Sequence, residues 1–164
     1  MIRTRSLIPL LALTLTLSGC GYNQIQTLDE QVNKAQGQIA AQLQRRADLI
    51  PNLVETVKGF AKQEDTIFIS VANARAKLAG SIQSGNVDSM AAANQALNAP
   101  LGRLLAISEN YPELKSDANF RDLQAQLEGT ENRITVARNR YIKAVESYNV
   151  TVRSFPTNLL AMAF

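Results

Sequence analysis

The sequence predicts an all-α protein: an antiparallel up-and-down bundle of long helices behind an N-terminal signal segment. Three observations predict it. Apolar residues recur every three or four positions through almost the whole chain after residue 24, the spacing of a one-sided helix. No stretch shows strand alternation bounded by turns. The breaks between periodic stretches are short and fall at Pro, Gly and polar residues, and short connections favour antiparallel neighbours.

The first stripe runs Ile25, Leu28, Val32, Ala35, Ile39 and Leu43, with Gln and Asn on the opposite face. Thr27 and Glu30 have capping-box spacing, although Ile25 already lies on the stripe. Pro51 interrupts the pattern, because it has no N–H to give residue 47 and pushes Ile50 away from α geometry. The apolar phase then resumes at Val54, Val57, Ala61, Phe68, Val71 and Leu78. Two solutions fit: one kinked helix over about 24–62, or a turn at Asp48–Pro51 that makes four separate helices. The nearly unbroken phase favours the first.

Gly80 and the polar run Ser81–Asn86 read as a stop and a loop. Asp88 is placed to cap a third helix carrying Met90, Leu97, Leu101 and Leu104, which ends before Pro112 and is kinked or broken at Pro100. Asp117 caps the fourth, whose stripe from Phe120 through Leu127, Ile134 and Tyr141 to Val152 is the cleanest in the chain. Residues 117–152 as a helix make a rod of about 54 Å at 1.5 Å per residue, and Phe155-Pro156 ends it.

Ahead of these helices, Met1 to Arg5 form a short positive segment and Ser6 to Leu17 an apolar one, too short to span a bilayer. Leu17-Ser18-Gly19-Cys20 resembles a bacterial lipobox. The expectation is a signal peptide over 1–19 and a bundle domain over 20–164, with the Cys20 thiol acylated and anchoring the domain to a membrane outside the cytoplasm. Two or three acyl chains hold stably where one binds only marginally. Gly21 in place of an acidic residue after the cysteine favours the outer membrane in a diderm cell.

Composition narrows the chemistry. The chain has 164 residues, no His, no Trp and one Cys. Zinc sites, Cys-His nucleophiles, Ser-His-Asp triads and internal disulfides are therefore excluded, and no cofactor or metal is expected. Arg3 and Arg5 belong to the leader, so 15 of the 17 basic residues face 14 acidic ones in the mature domain. Such balance argues against nucleic-acid binding, which needs a concentrated basic surface.

Several polar runs stand out against the stripes. Arg45-Arg46-Ala47-Asp48-Leu49-Ile50-Pro51-Asn52-Leu53-Val54-Glu55-Thr56-Val57-Lys58-Gly59 is the longest; Tyr22-Asn23, Leu28-Asp29-Glu30, Glu109-Asn110-Tyr111-Pro112-Glu113-Leu114-Lys115, Thr130-Glu131-Asn132-Arg133-Ile134, Tyr148-Asn149 and Phe155-Pro156 with Asn158 accompany it. In these runs the chain resembles the LemA family over nearly its whole mature length. The resemblance implies an up-and-down bundle of bromodomain-like arrangement, membrane-attached and exposed outside the cytoplasm, with no established enzymatic activity. Two departures matter: family members often begin with a transmembrane helix where this chain has a lipobox, and they usually run on with a short tail beyond the position of Phe164.

The candidate interface or structural polar residues are Arg45, Arg46, Asp48, Asn52, Glu109, Asn110, Tyr111, Glu131 and Asn132. Asp48 and Asn52 would satisfy backbone groups freed at Pro51, or join Arg45 and Arg46 in a partner-binding patch. Glu109-Asn110-Tyr111 ends a helix and would cap it. Glu131 and Asn132 flank the buried stripe in mid-helix, where a hydrogen bond across the bundle to Arg45 or Tyr111 would fix register. The Tyr and Arg residues clustered on the last helix (Arg133, Arg138, Arg140, Tyr141, Tyr148) suit a contact surface if exposed. The expected function is a membrane-anchored scaffold of the bacterial envelope with a protein partner. A carboxylate-dependent hydrolase pairing Glu109 with Glu131 and a self-associating envelope protein are the alternatives.

Overall fold

The computed structural model describes residues 7–163, without the side chains of 7–20, Leu160 and Ala163. The positive segment at Arg3 and Arg5 and the Cys20 thiol lie outside what is described. All the regular structure of the described residues is helical, in a helical-bundle protein: α1 (Leu7–Phe60), α2 (Asp65–Ser84), α3 (Val87–Ala106), a 3-10 turn (Ile107–Glu109), α4 (Pro112–Ser116), α5 (Ala118–Arg153) and α6 (Thr157–Ala163).

The chain divides into two compact units, residues 36–138 and residues 1–35 with 139–164. In the larger unit α1 passes through Pro51 without a break and ends at Phe60, so the single-helix solution holds over four separate helices, although the helix begins at Leu7 and not near residue 24. A short link leads to α2, which runs back along α1. Lys58 sits 5.5 Å from the Phe68 ring centroid, and Arg75 bonds Ala47, so rising numbers on one helix meet falling numbers on the other. Leu53, Val57, Val71, Leu78, Leu97, Leu104 and Leu114 are wholly buried and form the core of this unit.

Helix ends depart from expectation where small polar residues mislead. Gly80 does not stop α2, which continues to Ser84. The Ser81 and Ser84 hydroxyls fold back onto the carbonyls of Leu78 and Ser81, at 2.7 and 2.8 Å, which lets serines ride inside the last turn. The stop is Gly85, at φ 69, the left-handed conformation glycine adopts without a Cβ penalty. Gln36 of α1 donates to the Gly85 carbonyl at 2.6 Å, tying this corner to the first helix. Asn86, not Asp88, caps α3, accepting the Ser89 N–H at 2.8 Å; Asp88 instead sits in the first turn, where the helix dipole favours an acid. Pro100 lies within α3 without ending it. That helix stops at Ala106, and the residues up to Ser116 fold as the 3-10 turn and α4, which begins at Pro112. Asp117 does cap α5, accepting the Phe120 N–H at 2.8 Å.

In the smaller unit, Ile25 and Ala35 are buried on α1. After α5 the chain turns at residues 154–156 through a cis Phe155-Pro156 bond. The Thr157 hydroxyl donates to the Thr151 and Ser154 carbonyls, seating α6 against the end of α5.

Candidate functional site

Among the described residues, Arg46 is the charged side chain that the bundle buries, at 5% exposure. It lies on the α1 face that carries Leu43, Ala47, Ile50 and Leu53 inward, so its guanidinium enters the packed unit. Nη1 donates to Asn94 Oδ1 at 2.5 Å and to the Glu131 carboxylate, and Nη2 donates to Asn98 Oδ1 at 2.8 Å. Asn94 and Asn98 are one turn apart on α3 and Glu131 is on α5, so one cation holds three helices in register. Its Nε is buried without a partner, as is the Oε1 of Gln42 one turn earlier.

Burial lowers the basicity of Arg46, while Glu131 opposes this through Coulomb attraction and its hydrogen bond. An arginine starts so far above neutrality that this lowering leaves it charged around neutral pH. The pair is asymmetric. Arg46 is enclosed, but the Glu131 side chain keeps 43% of its surface in solvent.

A second bond explains how α1 survives Pro51. In a regular helix the N–H of residue 51 would bond the carbonyl of Ala47, and proline has none to give. Arg75 of α2 supplies it, its Nε donating to Ala47 O at 2.8 Å. A side chain from the neighbouring helix thus completes the hydrogen-bond ladder.

The remaining candidates separate from this cluster. Arg45, adjacent to Arg46, is rotated about 100° round the helix and is exposed. Asp48 is exposed and accepts from Gln44 at 2.8 Å, and Asn52 is exposed with its carbonyl accepting the Thr56 hydroxyl at 2.9 Å. Glu109 and Asn110 are exposed at the 3-10 turn, and the Asn110 N–H bonds the Ile107 carbonyl at 3.0 Å. Tyr111 is half-buried, and its carbonyl takes the Lys115 N–H at 3.1 Å. Asn132 is exposed. Of the nine, the structure brings together Arg46 and Glu131. Sequence reasoning missed Asn94, Asn98 and Arg75. The signal for the asparagines was their four-residue spacing astride Leu97 on a buried stripe. For Arg75 it was a cation beside Ala74 and Leu78, ten residues after a helix start.

Among the described residues no group of three or more Cys, Asp and Glu could hold a metal ion. Nor, among them, is any helix long and apolar enough to cross a membrane.

Together these features define a class: an all-α bundle held in register by a buried arginine. The profile of the LemA family matches residues 35–164, and the chain belongs to that family. Magnetosome proteins MamQ 1 and MamQ 2 of Paramagnetospirillum magneticum (strain AMB-1) are each 27% identical to it over 165 residues, 85% of this chain and 60% of theirs. The magnetosome protein MamQ of Magnetospirillum gryphiswaldense is 26% identical over 164 residues, again 60% of its length. The chain therefore spans 60% of the length of these curated relatives. None of these names denotes an enzyme.

Proposed function

We propose that the protein is a lipid-anchored helical scaffold of the bacterial envelope, facing away from the cytoplasm and presenting its bundle to a protein partner. The observation that carries this is Leu17-Ser18-Gly19-Cys20 behind a short positive and apolar leader. Small residues before the cysteine let an extended chain enter a peptidase cleft, and the thiol takes the lipid. Acyl chains supply an anchor that needs no membrane-crossing helix. Gly21 favours delivery to the outer membrane of a diderm cell. The relatives' designation as magnetosome proteins accords with a role in organising an assembly at a membrane.

The arrangement of polar groups favours a scaffold over a carboxylate hydrolase. Glu131, one of the two acids such an enzyme would use, is committed to Arg46, and Glu109 is exposed on a separate turn. Acyl labelling with fractionation tests the anchor. Cys20→Ser should lose the label and leave the membrane fraction; unchanged label and fractionation would overturn the reading.

A further inference from the structure

Between α1 and α2 lies an open trough of about 460 Å³, floored by Ile50, Val54, Phe68 and Val71. Exposed Pro51 and Ile69, the latter 61% exposed, form its lips. It carries opposite charges at its two ends. At one end is Arg75, whose Nε is spent on Ala47 while its two terminal nitrogens make no hydrogen bond among the described residues. At the other is Asp65, with no ion pair among the described residues. Lys58 and Glu55, also near that end, neutralise each other at 3.5 Å, and Lys58 lies over the Phe68 ring. Asp65 and Arg75 are ten residues apart on one helix, so the charges are separated by about 15 Å.

We infer that this trough docks an amphipathic helical segment of another protein, about three turns long. The inference rests on the scaffold reading and names the kind of partner. A groove between two helices accepts a third through apolar residues at i, i+4 and i+7. The charge polarity then sets direction. The partial positive charge of the incoming helix's N-terminus meets Asp65, and its negative C-terminal end, with an acidic side chain there, meets the free fork of Arg75. It therefore runs parallel to α2 and antiparallel to α1.

A second copy of the chain fits less well. Parallel pairing of two α2 helices would set Asp65 against Asp65 and Arg75 against Arg75. Antiparallel pairing would match the charges but point the two α1 N-termini in opposite directions, away from a shared anchoring surface. A bilayer offers no convex ridge to fill a concave trough, and Asp65 at one end opposes an anionic headgroup layer.

The test is a benzophenone side chain at position 69 of the full-length, anchored protein, irradiated in its own cells, with the adducts sequenced. The expected adducts fall on one discrete segment of a different protein, with apolar residues at helical spacing and Asp or Glu on the C-terminal side. Asp65→Lys, an exposed change that leaves the core intact, should cut the yield about fivefold, the equivalent of ~1 kcal/mol. Adducts on lipid, on a second copy, or scattered without that pattern would overturn the inference. So would a yield indifferent to Asp65→Lys, or no adduct. Acyl labelling of the same cells reports the anchor separately: labelled Cys20 without patterned adducts sinks the trough alone, and patterned adducts without label sink the anchor alone.

Discussion

A guanidinium taken out of water has to recover its solvation from fixed partners, and Arg46 does so with two asparagine carbonyls and one carboxylate. Removing one member of a buried pair is far more damaging than the net worth of the pair, because a desolvated partner is left behind. Here the damage depends on which member goes. Arg46→Ala strips two asparagines and an acid of their donor and leaves a cavity, and should cost about 3 kcal/mol in urea denaturation. Glu131→Gln keeps an acceptor at a position 43% open to solvent and should cost about 1 kcal/mol. The sequence pointed to Glu131 but offered Arg45 or Tyr111 as its partner, whereas Arg46 is the residue that turns inward, because adjacent residues differ by a rotation that only packing resolves. Asn94 and Asn98 escaped notice because asparagine beside an apolar stripe is usually solvated.

At the scale of the element, α1 and α2 are coupled through one carbonyl. Arg75→Met should leave Ala47 O without its donor and cost ~1–2 kcal/mol. Pro51→Ala restores the missing N–H, so in that background the same change should cost measurably less, a coupling that a double-mutant cycle in denaturant reads directly. Equal costs in both backgrounds would show that Arg75 does not repair the helix. Asp117→Ala removes the α5 cap and should cost about 1 kcal/mol by the same measurement. The long helices were legible because a stripe repeated over many turns outweighs any single residue. Their ends were less so. Gly80 and Asp88 are reasonable stop and start residues, but the left-handed backbone of Gly85 and the side chain of Asn86, which accepts the Ser89 N–H, take those places instead.

For the whole molecule, the division into two units predicts uneven stability. Residues 36–138 hold the wholly buried leucines, the Arg46 cluster and the Gln36–Gly85 tie. In the smaller unit, α5 beyond Arg138 presents half-buried and exposed residues, including Ile142 and Val150. Amides of Leu43–Val57 and Leu97–Leu104 should therefore exchange with solvent deuterium more slowly than those of 139–153. Exchange at one common rate would mean that the units open together. The all-α class was readable from periodicity, whereas this division was not, because the stripes of α1 and α5 cross the boundaries at residues 35–36 and 138–139 without a break.

The choice of arginine as the buried cation also bears on acidity. With no histidine in the chain, no side chain has an ordinary titration point near pH 6–7. Burial lowers the Arg46 value, so its linkage to folding acts in strongly alkaline solution. There the native state releases its proton before the unfolded state does, and stability gains as pH rises. Between about pH 6 and 8 the denaturation midpoint should stay flat. Under the proposed placement outside the cytoplasm, the domain would then keep its helices in register through swings in the acidity of its surroundings.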